Sequence, residues 1–139
     1  VLQASGAFTY TPGADYHGPD AFTYRAGDGV LESNTATVTL TVTHVNRPPV
    51  AVNDAATTSR NTAVTVNLVA NDYDTDGSVV AGTASIATGP RYGKVANKGD
   101  GRVVYTPNRR FRGTDSFTYT VKDDAGAASN LATVSVKVK

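Results

Sequence analysis

Apolar and polar residues alternate in short runs separated by turn signals. Residues 6–10, Gly-Ala-Phe-Thr-Tyr, alternate and stop at Thr11-Pro12-Gly13. Residues 20–26 alternate again, with Phe22, Tyr24 and Ala26 on one face, until Gly27-Asp28-Gly29 breaks the run. Residues 35–43 alternate strictly, with Ala36, Val38, Leu40 and Val42 pointing one way and threonines the other. A period of two is that of a half-buried strand, and β-branched residues suit its pleated surface. Pro48 and Pro49 then end the ladder and stiffen a short extended connection. Beyond it, residues 50–54 open a second region, residues 63–69 predict a strand, and residues 71–77 form an acidic turn. Short strands follow near 79–81, 84–87 and 93–96, and Lys98-Gly99-Asp100-Gly101 signals a hairpin turn. Residues 102–106, 116–122 and 132–138 predict three more strands. No segment sustains a 3.6-residue period, so almost no helix is expected. About seven or eight short strands, with turn signals roughly every ten residues, predict an all-β, antiparallel Greek-key β-sandwich.

Part of this pattern occurs twice. Tyr10 and Tyr105, Pro12 and Pro107, Gly18 and Gly113, Asp20 and Asp115, Phe22 and Phe117, and Tyr24 and Tyr119 are all offset by 95 residues. After one inserted residue the match resumes, with Asn34 on Asn130 and Val38 on Val134. The stretch between the copies has no second copy. The order is therefore back half, front half, back half, and self-similarity of this kind governs how the rest is read. Residues 1–46 read as the C-terminal half of a preceding repeat and residues 47–139 as a complete repeat. The chain starts mid-repeat and reads as a piece cut from a longer protein.

Composition agrees with strands: Thr, Val, Gly and Asn are frequent and cysteine is absent. Without Cys there is no disulfide, thiol catalysis or thiolate metal site. Residues 1–46 carry Arg25 against Asp15, Asp20, Asp28 and Glu32, a net −3; residues 47–139 carry twelve Lys and Arg against eight Asp, a net +4. Neither value marks a nucleic-acid or membrane surface, and no apolar run approaches the ~20 residues of a membrane span. His17 and His44 are the only histidines, and both precede the complete repeat. That repeat lacks the usual general bases and thiol nucleophiles, so an enzymatic role is not expected.

Asp72, Asp74 and Asp76 alternate and are followed by Gly77. Carboxylates spaced this way in an irregular loop can converge on a hard cation, and Ca²⁺ wants six to eight oxygens. Asp54, Asn71, Asp123 and Asp124 could complete the shell. The motif resembles the first half of an EF-hand loop, with Thr83 where that loop would carry Glu. The competing reading is a solvated turn, since Asp and Asn bond their own backbone. Asp28 matches Asp123 but stands without a front half. The recurring aromatics, from Tyr10 to Tyr119, read as core rather than as a sugar platform; Tyr73 and Tyr92 are the candidates for an outer face. Arg102, Arg109, Arg110 and Arg112 read as a solvated face or as a patch for acidic polymers.

Taken together, V-N-R-P-P-V-A-V-N-D from Val45, A-N-D-Y-D-T-D-G from Ala70, V-V-Y-T-P from Val103, F-R-G-T-D-S-F-T-Y-T-V-K-D-D-A-G from Phe111 and S-N-L-A-T-V-S-V-K-V from Ser129 resemble a known family. It is that of bacterial cadherin-like, immunoglobulin-like tandem repeats, found in large secreted adhesins and biofilm proteins and as appendages of secreted polysaccharide-degrading enzymes. The resemblance implies an extracellular or cell-surface, non-catalytic spacer or adhesion module, often calcium-stiffened. The alternative it offers is a carbohydrate-binding appendage of a secreted hydrolase. Connectors of the cadherin type usually carry acidic residues, whereas this one reads His44-Val45-Asn46-Arg47. Neighbouring repeats of the same chain are the expected partners, with a polysaccharide or cell-surface ligand as a further one. A half-sandwich of some forty residues cannot bury a core, and its bare edges recruit strands. Residues 1–46 are therefore expected to complete their sheet through strand exchange, through a homodimer, or by pairing with residues 50–100.

Overall fold

The computed structural model describes residues 5–139, which fall into two compact units, unit 1 ending at Val45 and unit 2 running Asn46–Lys139. No helix occurs among the described residues.

Among its described residues unit 1 contains two strands, β1 (Gly18–Tyr24) and β2 (Ala36–Val42), paired antiparallel. Phe22 faces Val38, Tyr24 faces Ala36 and Gly18 faces Val42. The apolar residues Ala36, Val38, Leu40 and Val42 are only half-buried, and none of the described residues up to Val45 is fully buried. The strand expected over residues 6–10 does not form; Phe8 makes an isolated bridge and stacks edge-on against Phe22.

Unit 2 contains seven strands: β3 (Asp54–Thr58), β4 (Val64–Asn67), β5 (Val79–Thr88), β6 (Gly93–Asn97), β7 (Arg102–Pro107), β8 (Gly113–Asp123) and β9 (Ala132–Val138). One sheet runs β3-β9-β8-β5 and the other β4-β7-β6. Alternation does the work that the sequence pattern announces. On β9, Ala132, Val134, Val136 and Val138 are buried; on β8, Phe117, Tyr119 and Val121 are; on β7, Val103 and Tyr105 are. Val66 and Leu68 close the core from the β4 side and Ala84 from β5. Each large side chain fully buried here stabilises the fold by about 1.5–3 kcal/mol. The result is a β-sandwich with its core between the two sheets.

Two features depart from the sequence reading. The ladders are antiparallel except for β3 and β9, which run parallel. These strands lie at opposite ends of unit 2, so no tight hairpin dictates their direction. The two short strands expected near 79–81 and 84–87 are one strand, β5, whose register against β8 shifts between Val80 and Ser85 and again between Ile86 and Thr88. A strand with bulges breaks its own alternation, which is why it looks like two.

The copies that match in sequence match in hydrogen bonding. β8 pairs with β9 in the register of β1 with β2: Phe117 faces Val134, Tyr119 faces Ala132 and Gly113 faces Val138. Tyr10 donates to Asp20 at 2.6 Å, as Tyr105 does to Asp115 at 2.8 Å. The amide of Ala26 donates to Ser33 Oγ as that of Val121 donates to Ser129 Oγ. Gly6 and Gly101, at the entry to each copy, share a left-handed φ of 83° that favours glycine.

Candidate metal centre

The acidic turn follows β4. Leu68, fully buried, anchors its start, and Tyr73 is tied to Val50 by backbone bonds in both directions at 2.8 and 3.1 Å. The turn is thereby held beside the first residues of unit 2, and its carboxylates face three different ways.

Asp72 points inward. Its Oδ1 accepts the Val52 amide at 2.7 Å and the Tyr119 hydroxyl at 3.0 Å. That hydroxyl also lies 2.7 Å from the Leu68 carbonyl, 3.2 Å from the Val52 carbonyl and 3.1 Å from Asp72 Oδ2, so one proton serves four acceptors. Asp54, at the start of β3, belongs to the same group, and its Oδ2 is buried with no hydrogen-bond partner. Burial pushes the Asp54 carboxyl up to about 6; the Asp72 charge adds to this, while the Tyr119 hydroxyl and the Asn71 amide pull it down. Burial raises Asp72 as well, against its bonds to Val52 and Tyr119. Burial first, and then the two carboxylates, raise the Tyr119 hydroxyl.

Asp74 and Asp124 meet at Gly77. Asp74 Oδ1 accepts the Asp76 amide at 3.2 Å, while Oδ2 is buried and unpartnered. Asp124 Oδ1 accepts the Ser78 amide at 3.0 Å. A side chain at residue 77 would bring its Cβ to 2.6 Å from Asp124 Oδ1 and 3.2 Å from Asp74 Oδ2, so glycine is what lets both carboxylates close on the turn. Asp76 Oδ2 accepts the Arg47 amide at 3.0 Å. Asp123, 2% exposed, accepts the Asn46 side-chain amide at 2.8 Å and the Ala127 amide at 2.7 Å. The Asn46 bond, more than the turn's own amides, holds its carboxyl below the usual range.

The five carboxylates singled out by the sequence are therefore divided: Asp54 with Asp72 around Tyr119, Asp74 beside Gly77, Asp76 on Arg47, and Asp123 on Asn46 and its own turn. Among the described residues no three His, Cys, Asp or Glu side chains are grouped to hold a metal ion. As one shell for a hard cation the set does not fit. The corner of Asp74 and Asp124, with one buried oxygen unpartnered, fits part of one. In unit 1, Asp28 accepts the amides of Val30 and Leu31 at 2.9 and 2.8 Å, and these bonds hold its carboxyl low.

Three residues outside that set organise unit 2 through long-range hydrogen bonds. Asp115, 4% exposed, accepts four hydrogen bonds, from the amides of Arg91, Tyr92 and Ser116 and from the Tyr105 hydroxyl. Asn130 grips Ala51 at both its amide and its carbonyl, 3.0 and 2.9 Å away. Tyr119 joins β8 to the acidic turn, as above. Each has a counterpart in the first copy, and that recurrence was the signal in the sequence. Tyr73 and Tyr92 are half-exposed; Tyr92 stacks on Phe111 with ring centroids 4.7 Å apart.

The fold and its bonding define unit 2 as an immunoglobulin-like sandwich whose carboxylates are used mainly as structural acceptors. The chain belongs to the bacterial Ig domain family, whose model matches residues 46–137. Residues 1–43 match the model of a cadherin-like domain. Domains of these kinds are typically non-catalytic, cadherin-like domains typically bind calcium, and bacterial Ig-like domains are commonly extracellular. Among the described residues no helix is long and apolar enough to cross a membrane. Two curated relatives come from Dictyostelium discoideum. Integrin beta-like protein A is 26% identical over 86% of this chain, and integrin beta-like protein C is 38% identical over 51% of it. The matches span 7% and 4% of those proteins. Among solved structures, endo-fucoidan hydrolase MfFcnA4 of glycoside hydrolase family 107 aligns over 91% of this chain and 19% of its own, at 23% identity and a TM-score of 0.48. Endo-fucoidan hydrolase MfFcnA9 of the same family aligns over 92% and 23%, at 20% identity and a TM-score of 0.44.

Proposed function

We propose that the chain is a non-catalytic, extracellular spacer and adhesion module, a segment of an array of like units in a large surface or secreted protein. The observation that carries this reading is the recurrence of one hairpin, in one register and with one set of side-chain bonds, in two successive units. Repetition of one structural unit builds length, and the family match supports the same reading. The absence of His and Cys from residues 46–139 supports a non-catalytic role, as does the use of Asp72, Asp115 and Asp123 as acceptors for backbone and side-chain donors. Ca²⁺ stiffens the unit at the acidic turn in this reading. Asp74 and Asp124 hold the ion, and water supplies the remaining oxygens of its shell.

Thermal unfolding with and without millimolar Ca²⁺ tests the metal part. A ligand bound by the folded state alone adds about 1.4 kcal/mol at ten times its dissociation constant. The melting temperature should therefore rise with Ca²⁺, and Asp74→Asn should abolish the rise. An unchanged melting temperature in the parent protein rejects the ion and leaves the spacer. Incubation with immobilised polysaccharides tests the rest: retention would reassign the chain as a carbohydrate-binding appendage, and release of shortened glycans would reassign it as an enzyme.

A further inference from the structure

The topology of unit 2 sorts its charges. β6 pairs with β7 from Gly93↔Pro107 to Asn97↔Val103, and β8 pairs with β9 from Gly113↔Val138 to Tyr119↔Ala132. The loops 59–62, 89–92 and 108–112 therefore gather at one end, while the acidic turn, Asp100 and Asp123-Asp124 lie at the other. The gathered loops are bonded to one another. The Asn108 amide donates to the Tyr92 carbonyl at 2.8 Å, the Arg110 amide donates to Asn61 Oδ1 at 3.1 Å, and Asp115 holds the amides of Arg91 and Tyr92. They carry Arg60, Arg91, Arg109, Arg110 and Arg112, all exposed, and no Asp or Glu. Asp115 is 4% exposed and already accepts four hydrogen bonds. None of the five arginines is ion-paired among the described residues. Arg102, which the sequence groups with this patch, lies at the opposite end, 3.8 Å from Asp100.

We propose that this end of unit 2 is a docking surface for an acidic polysaccharide, a chain carrying sulfate or carboxylate groups, which the arginines grip by charge. This rests on the adhesion part of the proposed function and names the class of its ligand. Crowding like charges on bonded loops costs repulsion, which a polyanion relieves. A guanidinium fork matches two oxygens of a sulfate or carboxylate. The fold itself does not require the patch: in the other copy Arg109, Arg110 and Arg112 are replaced by Ala14, Asp15 and His17. The aromatic pair at this end favours a ligand read by charge. Tyr92 stacks on Phe111 at 4.7 Å and 8°, and the Arg91 guanidinium lies over the Tyr92 ring, 5.3 Å from its centroid. The ring thus holds its neighbours, and positions Arg91, whereas single-stranded nucleic acids are held by bases stacked on open rings. A lipid surface would draw on buried apolar area as well as charge, and Tyr92 is the one large apolar side chain exposed at this end among the described residues.

The test is binding of the whole chain to dextran sulfate, to alginate and to unmodified dextran, measured by titration calorimetry. Both acidic polymers should bind and dextran should not. Raising the salt from about 0.1 M to about 1 M, which shortens the screening length from about 10 to about 3 Å, should abolish the binding. Arg109→Glu combined with Arg112→Glu should weaken it at least about tenfold, since several exposed charge pairs are lost and reversed together. Lys98→Glu combined with Lys122→Glu makes the same change in net charge at the other end and should leave affinity within about twofold. All four side chains are exposed, and thermal unfolding of each double variant checks that it folds. Failure to bind either acidic polymer overturns the proposal, and so do equal losses in the two variants, which would mean that net charge alone is read. Tighter binding to a single-stranded oligonucleotide or to anionic phospholipid vesicles overturns the assigned ligand. Salt-resistant binding to dextran also overturns it and marks a carbohydrate-binding appendage. Release of shortened glycans would reject the non-catalytic reading while leaving the arginine dependence intact, so the two can fail separately.

Discussion

The hairpin β1–β2 and the hairpin β8–β9 share one register, one serine-to-amide bond and the same Gly, Asp, Phe and Tyr at matched positions, and differ in burial. Tyr119 and Tyr105 are fully buried, while Tyr24, the counterpart of Tyr119, is 41% exposed. Local chemistry is enough to shape the strand pair and its turns, because the aspartate and serine side chains bond backbone amides within a few residues. It is not enough to make a core. The core closes only where residues 50–100 meet the hairpin, bringing Leu68, Val66 and Ala84 and the backbone groups that Asp115, Asn130 and Tyr119 seek. Stability should therefore diverge between units wherever a side chain reaches the front half, and agree wherever it bonds only its own hairpin.

The sharpest way to break this comparison is a matched pair of core truncations. Phe117→Ala removes a 1%-exposed ring from the closed sandwich and should cost about 3–5 kcal/mol. Phe22→Ala, at the same register position, should cost under about 1 kcal/mol, since its ring already meets water. Urea unfolding followed by the signals of each unit measures both. Equal costs would mean that unit 1 has a core of its own.

A smaller effect separates the aspartates. Asp115→Ala leaves the amides of Arg91 and Tyr92 and the Tyr105 hydroxyl without their acceptor inside the protein, at a cost of about 3 kcal/mol. Asp20→Ala should cost far less, because water replaces it for Tyr10 and Ala21. The same denaturation series reads this difference. A penalty at Asp20 equal to that at Asp115 would show that local bonding, not the front half, sets the cost.

Most strands were legible as alternation, because one face of each meets the core. β3 was missed: Asp54-Ala-Ala-Thr-Thr lacks bulky apolar residues, and its place is set by the parallel ladder to β9 rather than by its own pattern. Residues 6–10 have a strand's alternation and make no strand, since their counterpart β7 is held between β4 and β6, and neither has an equivalent among the described residues of unit 1. At the acidic turn the spacing of Asp72, Asp74 and Asp76 says that their side chains can converge. It does not say that Tyr119, forty-odd residues away in sequence, draws Asp72 inward. Long-range hydrogen bonding of this kind is invisible in a local motif. The aspartate of G-x-D, repeated as Asp20 and Asp115, was visible as a repeat, but its four-bond role was not.

The smallest expected effect uses pH to set the units apart. Asp54 and Asp72 have no counterparts in unit 1, and both carboxyls are raised by burial. An acid with a folded pKa near 6, above an unfolded value of about 4, binds its proton more tightly when folded. Its stabilising contribution is complete below about pH 4 and is lost as pH rises through 6. Asp123 works in the opposite direction: its lowered carboxyl stabilises above about pH 4, and that contribution is lost on further acidification. Unit 2 should therefore gain stability from pH 7.5 to 5 and lose it below 4. Asp54→Asn should flatten the gain and stabilise unit 2 at pH 7 by about 1 kcal/mol, the shift being discounted because the group is only half-buried. In unit 1 the shifted carboxyls are Asp20, held low chiefly by the Tyr10 hydroxyl, and Asp28, held low by the amides of Leu31 and Val30. Its hairpin should not respond between pH 7.5 and 5 and should loosen only below about 4. Thermal unfolding across this range, with the Val30 and Leu31 amide resonances reporting on unit 1, measures both. A unit 2 indifferent to pH between 7.5 and 5 would show that water reaches the Asp54–Tyr119–Asp72 group, and would remove the one electrostatic feature that the front half gives to unit 2 and unit 1 lacks.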